Sequence, residues 1–323
     1  MNYSVGIVPF KDYWLNCSFN MMFSIFISAE PSFRLAAYLN DYSYLISEIE
    51  TPSGTNIHYP TLHPMKNFEK KYLNQNILTK QPINFKYDQN YIGFLKDLIT
   101  KRTLLAIGVD LFYWIPNSVC WGKHHWEHYS FINGFDDEKK LFYVLDESTS
   151  GYNEHDIPEE RLYASVKNSP LDPHGYIYKF LDEIGPFKFS LSEVISNAQR
   201  LSNELKQIRI KTLLQLSGED LAAGHMCDLM SMYLHQIVNR HKANQFLFQT
   251  LYKKNMINME AADILIRCSK ALQDGWLIVK NLLVKAYIIK NKNSELIYIN
   301  ESCKDLFFKE FEMWNKFISC IEK

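Results

Sequence analysis

The stretch KHHWEHYSFINGFDDEKKLFYVLDES, residues 123–148, decides how this chain is read. Two runs rich in aromatic and β-branched residues flank FDDEKK, a polar turn, and the pattern predicts a β-hairpin. His128 stands at the start of its first strand and Asp146 at the end of its second. Pairing 134 with 140 across the turn sets 128 directly opposite 146. Pairing 135 with 141 sets 130 opposite 146 and leaves 128 as its diagonal neighbour on the same face. Either register separates the two Cβ atoms by roughly 5–8 Å, within imidazole–carboxylate reach. A slip of one residue would send them to opposite faces. The hairpin therefore permits a base and its orienting carboxylate, although a histidine beside a strand is also a common structural feature.

Other residues compete for that role. His124 and His125 are rival bases, and His124 with His128 has the i,i+4 spacing of a helical metal pair. Gly122 just before them and β-like sequence from Tyr129 leave little room for such a helix, and no nearby motif supplies a third ligand. No metal is expected.

Outward from the hairpin, the chain changes character near residue 187. All eleven prolines fall at or before Pro186, and only three of the twelve glycines lie beyond it. Helix-like YIGFLKDLIT is followed by β-like TLLAIGVDLFYWI and then the hairpin. After Phe187 come long runs with apolar residues three and four apart, beginning with LSEVISNAQRLSNELKQIRIKTLLQL and its stop at Gly218. The segment NSPLDPHGYIYKFLDEIGPF holds the prolines and glycines of a boundary. The expectation is an α+β domain over 1–186 and an all-helical domain over 187–323.

A hydrophobic content of 47% supplies a core, and a net charge of −1 gives no footprint for nucleic acid. The six cysteines (17, 120, 227, 268, 303, 320) show neither CxxC nor zinc spacing. They read as reduced thiols of a cytoplasmic protein. The run MMFSIFISA imitates the core of a signal peptide but lacks its basic approach. No uninterrupted run reaches the ~18–20 apolar residues of a membrane span.

DYWLNCSFNMMFSIF, residues 12–26, supplies the candidate nucleophile. Asn16 is a good N-cap, and Phe19, Met22, Phe23 and Phe26 show helical spacing, which sets Cys17 at the first turn. Unpaired amides and the helix dipole there favour a thiolate. With a histidine near, such a thiol can fall from ~8.5 to roughly 3.5–7.5. The same amides could bind an oxyanion. Nucleophile, base and orienter would come in the order Cys17, His128, Asp146. The bland alternative for Cys17 is a buried inert thiol. Four of the other cysteines fall in the helical half, and Cys120 has no helix after it.

NCSFNMMFSIF, LLAIGVDLFYWIP and EHYSFINGFDDEKKLFYVLDES together resemble the N-terminal domain of butirosin biosynthesis protein H-like acyltransferases. The matches are Cys17, Gly108–Tyr113, His128–Tyr129 through Gly134–Asp136, and Val144–Asp146. The helical part after 187 is similar in size to the domain that commonly follows, so the resemblance covers nearly the whole chain. It implies a papain-like fold, akin to bacteriocin-processing peptidases, with an antiparallel sheet and a nucleophile helix. It implies acyl transfer from the phosphopantetheine thioester of an acyl or peptidyl carrier protein to Cys17, and then to a small-molecule amine. No bound cofactor is implied. His128 would be the base, Asp146 the orienter and Asp110 the runner-up orienter, a substrate contact or a support of the local fold. The chain departs from papain-like peptidases in having no Gln upstream of Cys17. Asn16 and Asn20 stand in as candidate oxyanion donors.

Two other functions compete: a cysteine peptidase or amidohydrolase, and a non-catalytic binding protein on the same fold. Expected partners are a carrier protein and an amine acceptor, with no nucleic acid, no membrane and a possible homodimer through the helical half.

Overall fold

The computed structural model describes residues 1–50, 54, 56–64, 77–85, 90–148, 151–181, 183–208, 213–214, 224–289 and 293–321. Its first elements are β1 (Asn2–Ser4), α1 (Cys17–Ala29), α2 (Phe33–Tyr38), β2 (Tyr42–Glu50), β3 (Asn56–Pro64), β4 (Leu78–Ile83) and α3 (Tyr91–Thr100). There follow β5 (Leu104–Asp110), a 3-10 turn (Leu111–Tyr113), β6 (Glu127–Asp136), β7 (Leu141–Ser148), β8 (Gly151–Pro158), α4 (Glu159–Lys167) and β9 (Gly175–Phe180). The C-terminal part is helical: α5 (Leu191–Ile208), α6 (Gly224–Lys253), α7 (Met259–Ile289) and α8 (Asn293–Ile321). The class is thus mixed α and β with antiparallel sheets. Gly218, read as a helix stop, lies outside the described residues. Among the described residues no helix is long and apolar enough to cross a membrane.

Two compact units divide the chain, Met1–Arg34 with Asn67–Phe187, and Leu35–Lys66 with Lys188–Lys323. Residues 35–66, including the β2–β3 hairpin, thus group with the helices. The Pro- and Gly-bearing segment before 187 is no plain linker, because it holds β9, which pairs with both β4 and β5.

The first unit is built on a seven-stranded sheet in the order β4-β9-β5-β6-β7-β8, with β1 added beside β6. One face packs Leu105, Ile107 and Val109 of β5 against Tyr91, Leu95 and Ile99 of α3 and against Leu162 and Val166 of α4. Period two on the strand and period four on the helices give these residues a common face. Each such burial contributes ~1.5–3 kcal/mol.

The hairpin closes in neither register considered above. At the turn Asp136 pairs with Leu141, Phe135 with Phe142 and Gly134 with Tyr143. Carried inward, that register would send His128 and Asp146 to opposite faces. A bulge at Asn133 intervenes, and beyond it Ile132 pairs with Val144 and Phe131 with Leu145. One unpaired residue restores the parity, so that 130 comes opposite 146 and 128 lies diagonal to it on the same face. Ile132 and Phe135, three apart, accordingly both enter one core.

The bulge residue is buried and fully engaged. Asn133 Oδ1 accepts the Ile7 N–H at 2.9 Å, and Nδ2 donates to the Ile7 carbonyl at 3.0 Å and to Glu154 Oε2. Its own carbonyl accepts the Val5 N–H at 2.7 Å. Gly134 lets β1 cross so closely: a Cβ there would run into the Tyr3 carbonyl oxygen and lie 2.9 Å from Ser4 Cα.

The second unit contains a buried polar cluster. Glu310 accepts hydroxyl bonds from Tyr42 at 2.7 Å and Tyr44 at 2.8 Å, and the indole N–H of Trp314 at 3.2 Å. Burial pushes the Glu310 carboxyl up to about 7 and the His241 imidazole down to about 3. Arg240 stacks on Tyr42 and donates to the Tyr38 carbonyl at 2.7 Å. These bonds fasten the β2–β3 hairpin within its unit.

Asn133→Ala leaves the buried Ile7 amide and carbonyl without partners, at about 1–3 kcal/mol each. Urea denaturation should show a loss of about 2–5 kcal/mol, and a variant as stable as wild type would contradict the tethering role.

Candidate active site

Cys17 opens α1. The Asn16 side chain accepts the Phe19 N–H at 2.8 Å, an N-cap that stops the helix from extending backward. Phe19, Phe23 and Phe26 recur at helical spacing, and Phe10 and Tyr13 of the approach meet Phe19 edge-on and tilted, with ring centroids 6.3 and 5.9 Å away. The cap commits the Asn16 oxygen to the helix. That bond does not use Asn16 Nδ2, whereas the Asn20 amide is spent elsewhere. Fully buried, it donates to the Phe10 and Tyr13 carbonyls at 3.1 and 2.8 Å and accepts the Leu15 N–H at 3.2 Å. Its job is to wrap residues 10–15 around the helix start.

Cys17 Sγ, a ring nitrogen of His128 and a carboxylate oxygen of Asp146 all lie within 4.8 Å of one another. His128 Nε2 is 2.8 Å from Asp146 Oδ2. Asp146 is itself held by further donors, among them Ser130. Trp114 Nε1 reaches Oδ2 at 2.8 Å, and the Glu147 N–H reaches Oδ1 at 2.7 Å. Trp114 also donates to Ser130 Oγ at 3.2 Å. The carboxylate is almost closed to solvent at 2%, the imidazole is 20% exposed and Cys17 is a half-buried residue. A buried carboxylate, a partly exposed imidazole and a half-buried cysteine form an arrangement that suits nucleophilic catalysis. Three donor atoms this close would also suit a soft cation, but both Asp146 oxygens are occupied by N–H donors.

The electrostatics set each group's protonation. Burial opposes the His128 imidazolium, but the charge and hydrogen bond of Asp146, with Glu147 beyond, hold it above its ordinary value. Burial likewise opposes the Asp146 carboxylate, and His128 with the surrounding donors still holds it low. Cys17 departs from expectation. Burial first, then the charges of Asp146 and Glu147, push the thiol up rather than down. Glu147, whose Oε2 lies 3.7 Å from Sγ, is itself pushed up to about 7 by burial and by Asp146.

The remaining candidates lie elsewhere or do other work. Asp110 does not orient His128. Its Oδ1 caps the 3-10 turn through the Phe112 N–H at 3.0 Å, and its Oδ2 pairs with His125 Nδ1 at 2.7 Å. His125 stacks on Phe112 with centroids 4.4 Å apart. His124 sits in the irregular stretch before β6, so the helical pair with His128 does not form. Trp114, Ser130 and Glu147 are site residues that pattern reading missed. Ser130 was findable as the same-face neighbour of His128. Glu147 was hidden by alternation along β7, which assigns it the face opposite Asp146.

No protein-family model matches this chain, and no curated protein matches it. The site therefore stands on its own geometry.

Asp146→Asn removes the charge that supports the imidazolium, so the His128 midpoint should fall toward or below about 6.5. Histidine titration by NMR reads this directly, and an unchanged midpoint would remove Asp146 from the role of orienter.

Proposed function

We propose that this chain is a cysteine-dependent acyltransferase on a papain-like fold, forming an amide bond in natural-product biosynthesis. One observation carries the chemistry: thiol, imidazole and carboxylate within 4.8 Å of one another, with the sulfur on the first residue of a helix. The substrate class rests on the resemblance to butirosin biosynthesis protein H-like acyltransferases in the segments around Cys17, Gly108 and His128.

In the first half-reaction His128 takes the thiol proton and the sulfur attacks the thioester carbonyl carbon of the carrier-bound donor. The carbonyl π pair moves to oxygen, where the Cys17 amide at the helix N-terminus stabilises it. Collapse breaks the bond to the phosphopantetheine sulfur, and that leaving group takes the proton from His128. In the second half an amine attacks acyl-Cys17 and gives its proton to His128. The Cys17 sulfur leaves and is reprotonated. Thioester and amine become amide and thiol, with no cofactor consumed. Water in place of the amine would give the hydrolase alternative, and a binding protein would form no acyl-enzyme.

Intact-mass spectrometry after mixing with acyl-carrier thioesters tests this. Wild type should gain the acyl mass on Cys17, and Cys17→Ala should not, with its thermal midpoint almost unchanged. His128→Ala should slow acylation by about 10²–10⁴. Carrier thioester consumed or left intact with no acyl group ever found on Cys17 would overturn the reading.

A further inference from the structure

Glu147 has no part in the steps just described, yet it is the hydrogen-bond partner of the nucleophile. The Cys17 Sγ–H donates to Glu147 Oε2 across 3.7 Å, while the Glu147 backbone N–H donates to Asp146 Oδ1 at 2.7 Å. The residue is thus fixed between sulfur and orienter by the strand itself. The titratable groups around it are Cys17 from α1, His128 from β6, Asp146 on its own strand and Tyr152, its register partner on β8. Of these only Cys17 meets the Glu147 carboxyl through a side-chain hydrogen bond among the described contacts.

We propose that Glu147 is a further catalytic residue that shares one proton with Cys17 and thereby sets how much of the sulfur is thiolate. In its acid form the carboxyl O–H donates to the thiolate, and in its ionised form it holds the proton on sulfur. The exchange balances internally: S–H with a carboxylate becomes thiolate with a carboxylic acid, and no proton leaves the pair. The assignment rests on Cys17 being the nucleophile. Energetics agree with the geometry. Burial and the Asp146 charge push Glu147 up to about 7, and burial with Asp146 and Glu147 pushes Cys17 up well beyond it. Between those two ionisations the pair carries one proton, so the thiolate fraction is constant with pH.

The test is the pH dependence of iodoacetamide alkylation at Cys17, followed by peptide mapping. Wild type should rise to a shoulder above about pH 7 and climb again only in the upper ionisation. Glu147→Gln keeps a neutral partner at every pH and should show a single rise. It should match wild type near pH 6 and react about tenfold faster near pH 8, one unit above the Glu147 ionisation. Glu147→Ala should lose the shoulder in the same way, which guards against a misfolded glutamine variant. Superimposable profiles for wild type and both variants from pH 6 to 9 would overturn the proposal. The readout needs no acyl donor. Its failure leaves the acyl-enzyme test untouched, and a missing acyl-enzyme leaves this profile intact.

Discussion

The bulge at Asn133 is the constraint on which the first unit depends, because it settles two matters with one residue. Strand alternation has only two phases, and the turn at 137–140 imposes the one that would separate His128 from Asp146. Inserting Asn133 switches the phase midway along the hairpin. The same residue then clasps the Ile7 backbone and accepts from Val5, fixing the strand that leads toward Cys17. Register of the base and placement of the nucleophile's approach are mechanically one feature. Gly134 next to it removes the Cβ that would block the crossing of β1.

Around the sulfur, two influences pull in opposite directions, and their magnitudes decide between them. A helix N-terminus favours an anion by ~0.3–1 kcal/mol, up to ~2 in partly buried geometry. A full negative charge ~4 Å away costs about 4 kcal/mol at an effective dielectric of 20. Burial first, and then the charges of Asp146 and Glu147, outweigh the helix and hold the thiol up. On the proposed function, the thiolate forms by transfer of its proton to a neighbour and does not wait preformed. That makes the geometry of the neighbours, rather than the dipole, the controlling variable.

Much of this was legible in the sequence where local pattern and final structure coincide. The hairpin, the α3 helix, the β5 strand and the long C-terminal helices follow from periodicity, and the N-cap at Asn16 from residue type. Trp114 as a donor to Asp146 was not readable, because no spacing rule links a residue after a 3-10 turn to a strand two positions across the sheet. Asn20 was misread because burial, invisible in one sequence, converts a free amide into a structural clamp. Asp110, the runner-up orienter, does local work instead, capping the 3-10 turn and pairing with His125. The grouping of 35–66 with the helices is also a tertiary fact, carried by Tyr42 and Tyr44 meeting Glu310 far along the chain.

The convergence of sulfur and imidazole is tested most directly by 1,3-dibromoacetone, a short bridge that must displace one bromide with each group. Reaction should begin at Cys17 and close onto His128, giving a single cross-linked peptide pair by mass spectrometry. Monoalkylated Cys17 that never closes, or closure onto His124, His125 or His155 instead, would contradict the arrangement described.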